Sequence, residues 1–354
     1  LKKLNVCVIG TGSISDMHLT SYQKNPYVNL YGVYDYSKDR AVEKGKKYHI
    51  DNVYEDLESL FQDPEVDAVS VCTWNNTHAE ITIAALQSDK HVLVEKPLSL
   101  SVEEALKVEA VAKQSNKTVQ VGFVRRFATN TSVLKKFIDN GKLGEIYYAK
   151  ASCLRRLGNP GGWFADKERS GGGPLIDLGV HVIDVCWYLM GRPKVRSISG
   201  NTYTKLGNRS NIENLSFYKA ADYDKANDNV EDLANALITF ENGASLMVDV
   251  SFTLHSKNDE IKVQLFGTKG GAELEPELTI ITEENNTIVN MHPQIDHLTF
   301  DFENAFQNEI DAFVNSCLFQ HEIVSPVEDG VELMKILSGI YEAAEKKGEV
   351  LFSS

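Results

Sequence analysis

The sequence contains no apolar run close to the roughly 20 residues that a membrane-spanning helix requires. It also lacks a basic excess: 36 Lys and Arg against 50 Asp and Glu leave a formal net charge of −14. A protein that grips nucleic-acid phosphates needs a basic face, so no nucleic-acid partner and no membrane role is expected. Cysteine is sparse. The five thiols, Cys7, Cys72, Cys153, Cys186 and Cys317, are odd in number, far apart and mostly within apolar runs. With no CxxC pair, the expectation is buried, reduced thiols in a cytoplasmic setting rather than a disulfide framework. Neither HExxH nor any cluster of Cys and His at ligand spacing occurs, so no metal site is expected. A strand that starts almost at the first residue is expected to leave no room for a signal peptide.

What the sequence does have is alternation. Through the first third, "LNVCVI", "VNLYGVY", "VDAVSVC", "HVLVE" and "TVQVG" are apolar nearly throughout and read as strands buried on both faces. Helical spacing fills the gaps, which implies a parallel, doubly wound sheet. After about Gly122 the rhythm changes to closely spaced strands such as "NALITFENG", "ASLMVDVSFTL", "IKVQLFG" and "GAELE", with short turns at Glu241-Asn242-Gly243. Such hairpins imply a large, open, mainly antiparallel sheet. The expected class is α/β: a Rossmann domain over 1–123 and an α+β domain over 124–354. The polar stretch from Lys205 to Val230 follows neither period and reads as an insertion loop, over a site or over plain surface.

The segment "VCVIGTGSIS" places Gly10 and Gly12 directly after a buried strand and before a helix. In that context the first glycine makes a tight turn. The second lets backbone approach a pyrophosphate, held by the amides around Ser13 and Ile14 at the helix start. The third position needs a small residue, and Ser15 is small enough. Asp35 ends the next strand, about 20 residues on, where a carboxylate would accept ribose hydroxyls and repel a 2′-phosphate. NAD is therefore expected over NADP, with Lys38 and Arg40 near enough to weaken the preference. At the carboxyl edge of the fourth strand, "CTWNNTHAEI" offers Thr73, Asn75 and His78 as cofactor contacts.

"VEKPLS" brings Lys96 out of the fifth strand at the same edge, ahead of Pro97. In "GGGPLIDLGVHVIDVCWYLMG", a helix expected from Pro174 to Met190, the polar exceptions are Asp177, His181 and Asp184. Spacings of four and three put them on one stripe. Unpartnered burial of such groups is costly, so either neighbouring backbone satisfies the stripe or it faces a polar cavity. In the second case His181 is the natural acid/base and Asp177 orients it or holds a hydroxyl.

Taken together, the glycine turn with Asp35, "EKP", "VGFVRRF" and "GGGPLIDLGVHVID" resemble the Gfo/Idh/MocA family, which includes inositol dehydrogenases and glucose-fructose oxidoreductase. The likeness runs through essentially the whole chain in order and spacing. It implies Lys96, Asp177 and His181 around the reacting carbon, Glu95 among the cofactor contacts, and Arg125 and Trp163 lining the substrate. It further implies a cis Lys96–Pro97 bond and a homodimer or homotetramer formed through the open sheet. Ser15 and Trp74 depart from the family's usual Ala or Gly and Pro. The expected activity is hydride transfer between NAD and a secondary alcohol of a sugar, polyol or cyclitol. A non-catalytic nucleotide or sugar sensor, and an NAD-dependent glycosidase working by oxidation and elimination, stay open as alternatives.

Overall fold

A computed structural model describes residues 3–220, 222–224 and 228–352. The chain divides into two compact units, residues 1–127 with 302–334, and residues 128–301 with 335–354.

In the first unit, β1 (Leu4–Ile9), β2 (Val28–Tyr34), β3 (Asn52–Val53), β4 (Ala68–Val71), β5 (His91–Glu95) and β6 (Val119–Gly122) form a parallel sheet in the order β3-β2-β1-β4-β5-β6. Every residue of β1, β4 and β6 is buried, as a sheet covered on both faces requires. The intervening helices are α1 (Ser15–Lys24), α2 (Lys38–Tyr48), α3 (Leu57–Gln62), α4 (His78–Gln87) and α5 (Val102–Gln114). Local chemistry sets their ends. Asp56 and Ser101 cap α3 and α5 by accepting the amides of Ser59 and Glu104, and His49 closes α2 in the left-handed region at φ 56°. The strand order reverses between β1 and β4, which opens a crevice at their carboxyl ends.

The second unit opens with α6 (Thr129–Asp139). Its sheet is built from β7 (Ile146–Leu154), β8 (Val195–Tyr203), β9 (Leu233–Phe240), β10 (Ser245–Ser251), β11 (Glu260–Gly267), β12 (Gly270–Glu275), β13 (Thr279–Glu284), β14 (Thr287–Met291) and β15 (Val350–Leu351). The order is β14-β13-β12-β11-β7-β10-β9-β8-β15; β7 and β10 run parallel and the other pairs antiparallel. The β9–β10 turn is made by Gly243 at φ 86°, whose amide bonds Phe240. β8, β14 and the short β15 are not evident in the sequence. "VRSISGNTY" and "TIVNM" carry too few apolar residues in alternation, because one face of each is exposed.

After the short α7 (Lys167–Ser170), the apolar stretch expected as one helix begins instead with a π-helical turn, Leu175–Gly179, that runs straight into α8 (Val180–Leu189). A single wide turn leaves the apolar pattern intact, so periodicity does not reveal it.

Two last helices follow, α9 (Phe302–Phe319) and α10 (Val327–Lys346). Linear order puts α9 with the second unit, yet it packs with the first. Ile310, Phe313 and Val314 share a core with Leu4, Val6, Leu19 and Leu93. Asn25 donates to Asp311 at 2.7 Å, and Gln120 donates to the Glu309 carbonyl at 3.1 Å. The division between the units falls within α10, after Met334. No helix among the described residues is long and apolar enough to cross a membrane.

Candidate cofactor site and catalytic helix

The loop between β1 and α1 is shaped by contact with β4. Gly10 has φ 90°, and a Cβ there would lie 2.6 Å from the Cys72 carbonyl oxygen, so no other residue fits without displacement. Gly12 differs: a Cβ there would meet nothing within 4 Å. The space in front of it is open, which is what a phosphate approaching the α1 terminus requires. Ser15 is fully buried and its hydroxyl donates to the Gly12 carbonyl at 2.6 Å, so it serves where a smaller residue is usual. Ser13 is exposed and Ile14 half-buried at this terminus.

Asp35, at the end of β2, is 7% exposed. Its Oδ2 accepts the Thr11 amide at 2.7 Å and the Thr11 hydroxyl at 2.9 Å. Its Oδ1 accepts the Ser37 amide at 2.7 Å and the Arg40 guanidinium at 2.8 Å. Burial raises the carboxyl pKa, but these donors outweigh it and hold Asp35 below the ordinary aspartate value. It is an ionised acceptor at the carboxyl end of β2. Arg40 already pairs with it, and Lys38 pairs with Glu55.

At the carboxyl end of β4, the Thr77 hydroxyl donates to Thr73 Oγ1 at 2.7 Å, and Asn75 is buried in the turn before α4. His78 is 1% exposed, with Nδ1 2.7 Å from the Pro97 carbonyl and Nε2 3.2 Å from that of Thr73. Its ring braces the two loops. Burial lowers its pKa, against the pull of those carbonyl groups. Glu95 is buried, accepts His18 Nε2 at 2.8 Å and accepts the Lys96 amide at 3.2 Å. Ser70 links His18 Nδ1, at 3.3 Å, to the Tyr22 hydroxyl, at 2.7 Å. Two histidines therefore hold the turn that presents Lys96, one through Glu95 and one through Pro97. The Lys96–Pro97 bond is cis, as expected. Of the paired arginines, Arg126 is buried against Asp329 and the Val324 carbonyl, while Arg125 is partly exposed.

In the second unit, Asp177 lies within the π turn and His181 in the first turn of α8. The wider turn brings residues four apart nearly into line, so these two share a side, and both are partly exposed. Asp184 does not: at 1% exposed it sits in the core. Trp163 occupies the short 3₁₀ turn Gly162–Ala165, its ring tilted by 30° against that of Phe164 with centroids 3.9 Å apart. The Trp163 amide donates to Asp222 at 3.0 Å and the Ala220 amide to the Pro160 carbonyl at 2.9 Å. The insertion loop is thus folded onto the loop that carries Trp163.

Residues 4–123 match the oxidoreductase family with an NAD-binding Rossmann fold, and residues 131–273 match the GFO/IDH/MocA C-terminal domain. D-glucoside 3-dehydrogenase of Escherichia coli is 32% identical over 345 residues, which is 97% of this chain and 95% of that one. The chain belongs to the Gfo/Idh/MocA oxidoreductase family. Myo-inositol 2-dehydrogenase of Thermotoga maritima is 30% identical over 267 residues, covering 75% of this chain and 74% of the relative. Levoglucosan dehydrogenase in complex with NADH and L-sorbose has the same fold, with a TM-score of 0.87 at 24% identity and full coverage of both chains.

Two residues of this Gfo/Idh/MocA member escaped the sequence reading. Thr11 and His18 act on partners 24 and 77 positions away, namely Asp35 and Glu95. The only local signal was for Thr11, which stands between the two glycines.

Proposed function

We propose that this protein is a dehydrogenase that oxidises one secondary alcohol of a sugar, polyol or cyclitol, with NAD preferred to NADP. The observation that carries the proposal is the β1–α1 turn: open space before Gly12, with the ionised Asp35 carboxylate at the end of the neighbouring strand. Gly12, Ser13 and Ile14 would face the pyrophosphate and Asp35 the ribose, while Thr73, Asn75 and Lys96 line the edge towards the nicotinamide. His78 serves that edge by bracing it. When bound, the nicotinamide supplies the hydride acceptor.

His181 takes the hydroxyl proton, since an imidazole is the side chain best matched to proton transfer near neutral pH. Asp177 orients that imidazole and accepts a substrate hydroxyl. Lys96 stabilises negative charge developing on the oxidised oxygen. Arg125 and Trp163 bind further parts of a hydroxyl-rich substrate. A reduced cytoplasmic setting suits the five free thiols.

Self-association is part of the proposal. On the open face of the second unit's sheet, Leu237 lies opposite Met247 and Tyr148 stacks on Phe266 at 5.4 Å. Leu237 and Met247 are each 39% exposed. The experiment is a panel of glucosides, free sugars and inositols with NAD or NADP, followed at the nicotinamide absorbance. Reduction of NAD by at least one of them is expected; no reduction with any substrate class contradicts the proposal.

A further inference from the structure

The run Gly171-Gly172-Gly173 ahead of the catalytic helix has a structural occupant. A Cβ on Gly172 would collide with the Tyr341 hydroxyl, and one on Gly173 with the Glu231 carbonyl oxygen. Their absence lets the Glu231 carboxylate reach the start of the helix. Glu231, 8% exposed, accepts the Gly173 amide through Oε2 at 2.9 Å. Its Oε1 accepts the Leu175 amide at 3.2 Å and the Tyr341 hydroxyl at 2.8 Å. These amides belong to the group that a helix leaves without intrahelical partners, and an anion there also meets the positive end of the helix dipole. Gly173 then passes the constraint on: its carbonyl accepts the amides of Ile176, at 3.1 Å, and Asp177, at 3.0 Å. One residue, Gly173, therefore lies between the Glu231 carboxylate and the backbone of Asp177.

We propose that Glu231, backed by Tyr341, is a positioning residue that fixes the start of the π turn and so sets where Asp177 and His181 stand. The proposal rests on the roles given above to those two residues. Glu231 directly precedes Asp232, itself bonded to the amides of Lys205 and Leu206 at the start of the insertion loop. The loop is thereby anchored beside the cap.

Glu231→Gln keeps the size of the side chain but leaves one of its amide-facing positions without an acceptor. Tyr341→Phe keeps the partly buried ring and removes one donor. Two measurements on the full chain test the proposal: amide exchange over residues 175–181, and single-turnover hydride transfer from a substrate found with the unsubstituted protein. Exchange over that segment should accelerate in both variants. Hydride transfer should fall about tenfold or more in Glu231→Gln and about threefold in Tyr341→Phe, because small displacements of reacting groups are costly. The NAD dissociation constant should stay within about twofold in both, since a role confined to the helix start leaves the dinucleotide loops intact. Unchanged exchange over 175–181 in a folded variant overturns the proposal, as does normal hydride transfer in a folded Glu231→Gln. Should Glu231→Gln not fold, Tyr341→Phe decides alone. A parent protein without dehydrogenase activity defeats the functional reading separately, because the exchange measurement still decides whether Glu231 fixes the helix.

Discussion

Gly10 and Gly12 stand two residues apart and answer to different constraints. Gly10→Ala meets both the 2.6 Å approach to the Cys72 carbonyl and a φ of 90°, a combination that costs on the order of 1–3 kcal/mol. Gly12→Ala meets no atom within 4 Å. The first variant should lose both melting temperature and NAD affinity, whereas the second should melt normally and bind NAD about tenfold more weakly, since its methyl group occupies the phosphate approach. Normal NAD affinity in Gly12→Ala would remove the cofactor from this loop. For Asp35, repulsion of a 2′-phosphate should favour NAD by about tenfold, or about 1.4 kcal/mol, and Asp35→Ala should narrow that gap. Tighter NADP binding by the parent contradicts it. His91 supplies a pH dependence. Burial, with Lys117 nearby, lowers its pKa from 6.5 to about 4, and its Nδ1 must stay unprotonated to accept the Thr118 amide. Between those values the unfolded chain binds more protons, so stability is full above about pH 6.5 and is lost as pH falls towards 4. His91→Gln should flatten the fall in melting temperature between pH 7 and 5; an unchanged slope would rule His91 out as a source. The places of Gly10 and Gly12 in the turn and of Asp35 at the end of β2 were legible because local spacing sets them. The bonds of His78 to Thr73 and Pro97 were not legible, because those partners come from two different loops.

At the scale of elements, the parallel sheet was legible because strands buried on both faces are continuous apolar runs. The hairpin of β9 and β10 was legible from its glycine turn. The π turn was not, and neither was the loss of Asp184 from the stripe of Asp177 and His181. A 3.6-residue period keeps all three on one side, while the wide turn realigns the first two and the core takes the third. α9 was legible as a helix but not as part of the first unit, because its assignment depends on contacts such as Asn25 with Asp311, 286 positions apart. That assignment has a direct consequence. Phe313 is fully buried against the first sheet, so Phe313→Ala should cost about 3–5 kcal/mol in stability. A loss below about 1 kcal/mol, measured by denaturant titration, would show that α9 is not part of that core.

The whole molecule joins an NAD-binding fold to a unit whose sheet leaves one face uncovered by its own helices. The Leu237–Met247 pair on that face should become a liability in water unless a second copy covers it. Light scattering should show an oligomer for the parent and a shift towards monomer when both residues are replaced by Lys; a monomeric parent contradicts this part of the proposal. The central claim concerns chemistry, and one experiment addresses it most directly: single-turnover hydride transfer in His181→Ala, with melting temperature and NAD affinity measured on the same sample. If His181 removes the hydroxyl proton, transfer should slow on the order of 10²- to 10⁴-fold, with the NAD dissociation constant and the fold little changed. Lys96→Met should lose rate in the same assay, since an apolar chain cannot stabilise an alkoxide. Near-parental hydride transfer in folded His181→Ala would contradict the account and leave Asp177 and His181 as polar residues with a packing role.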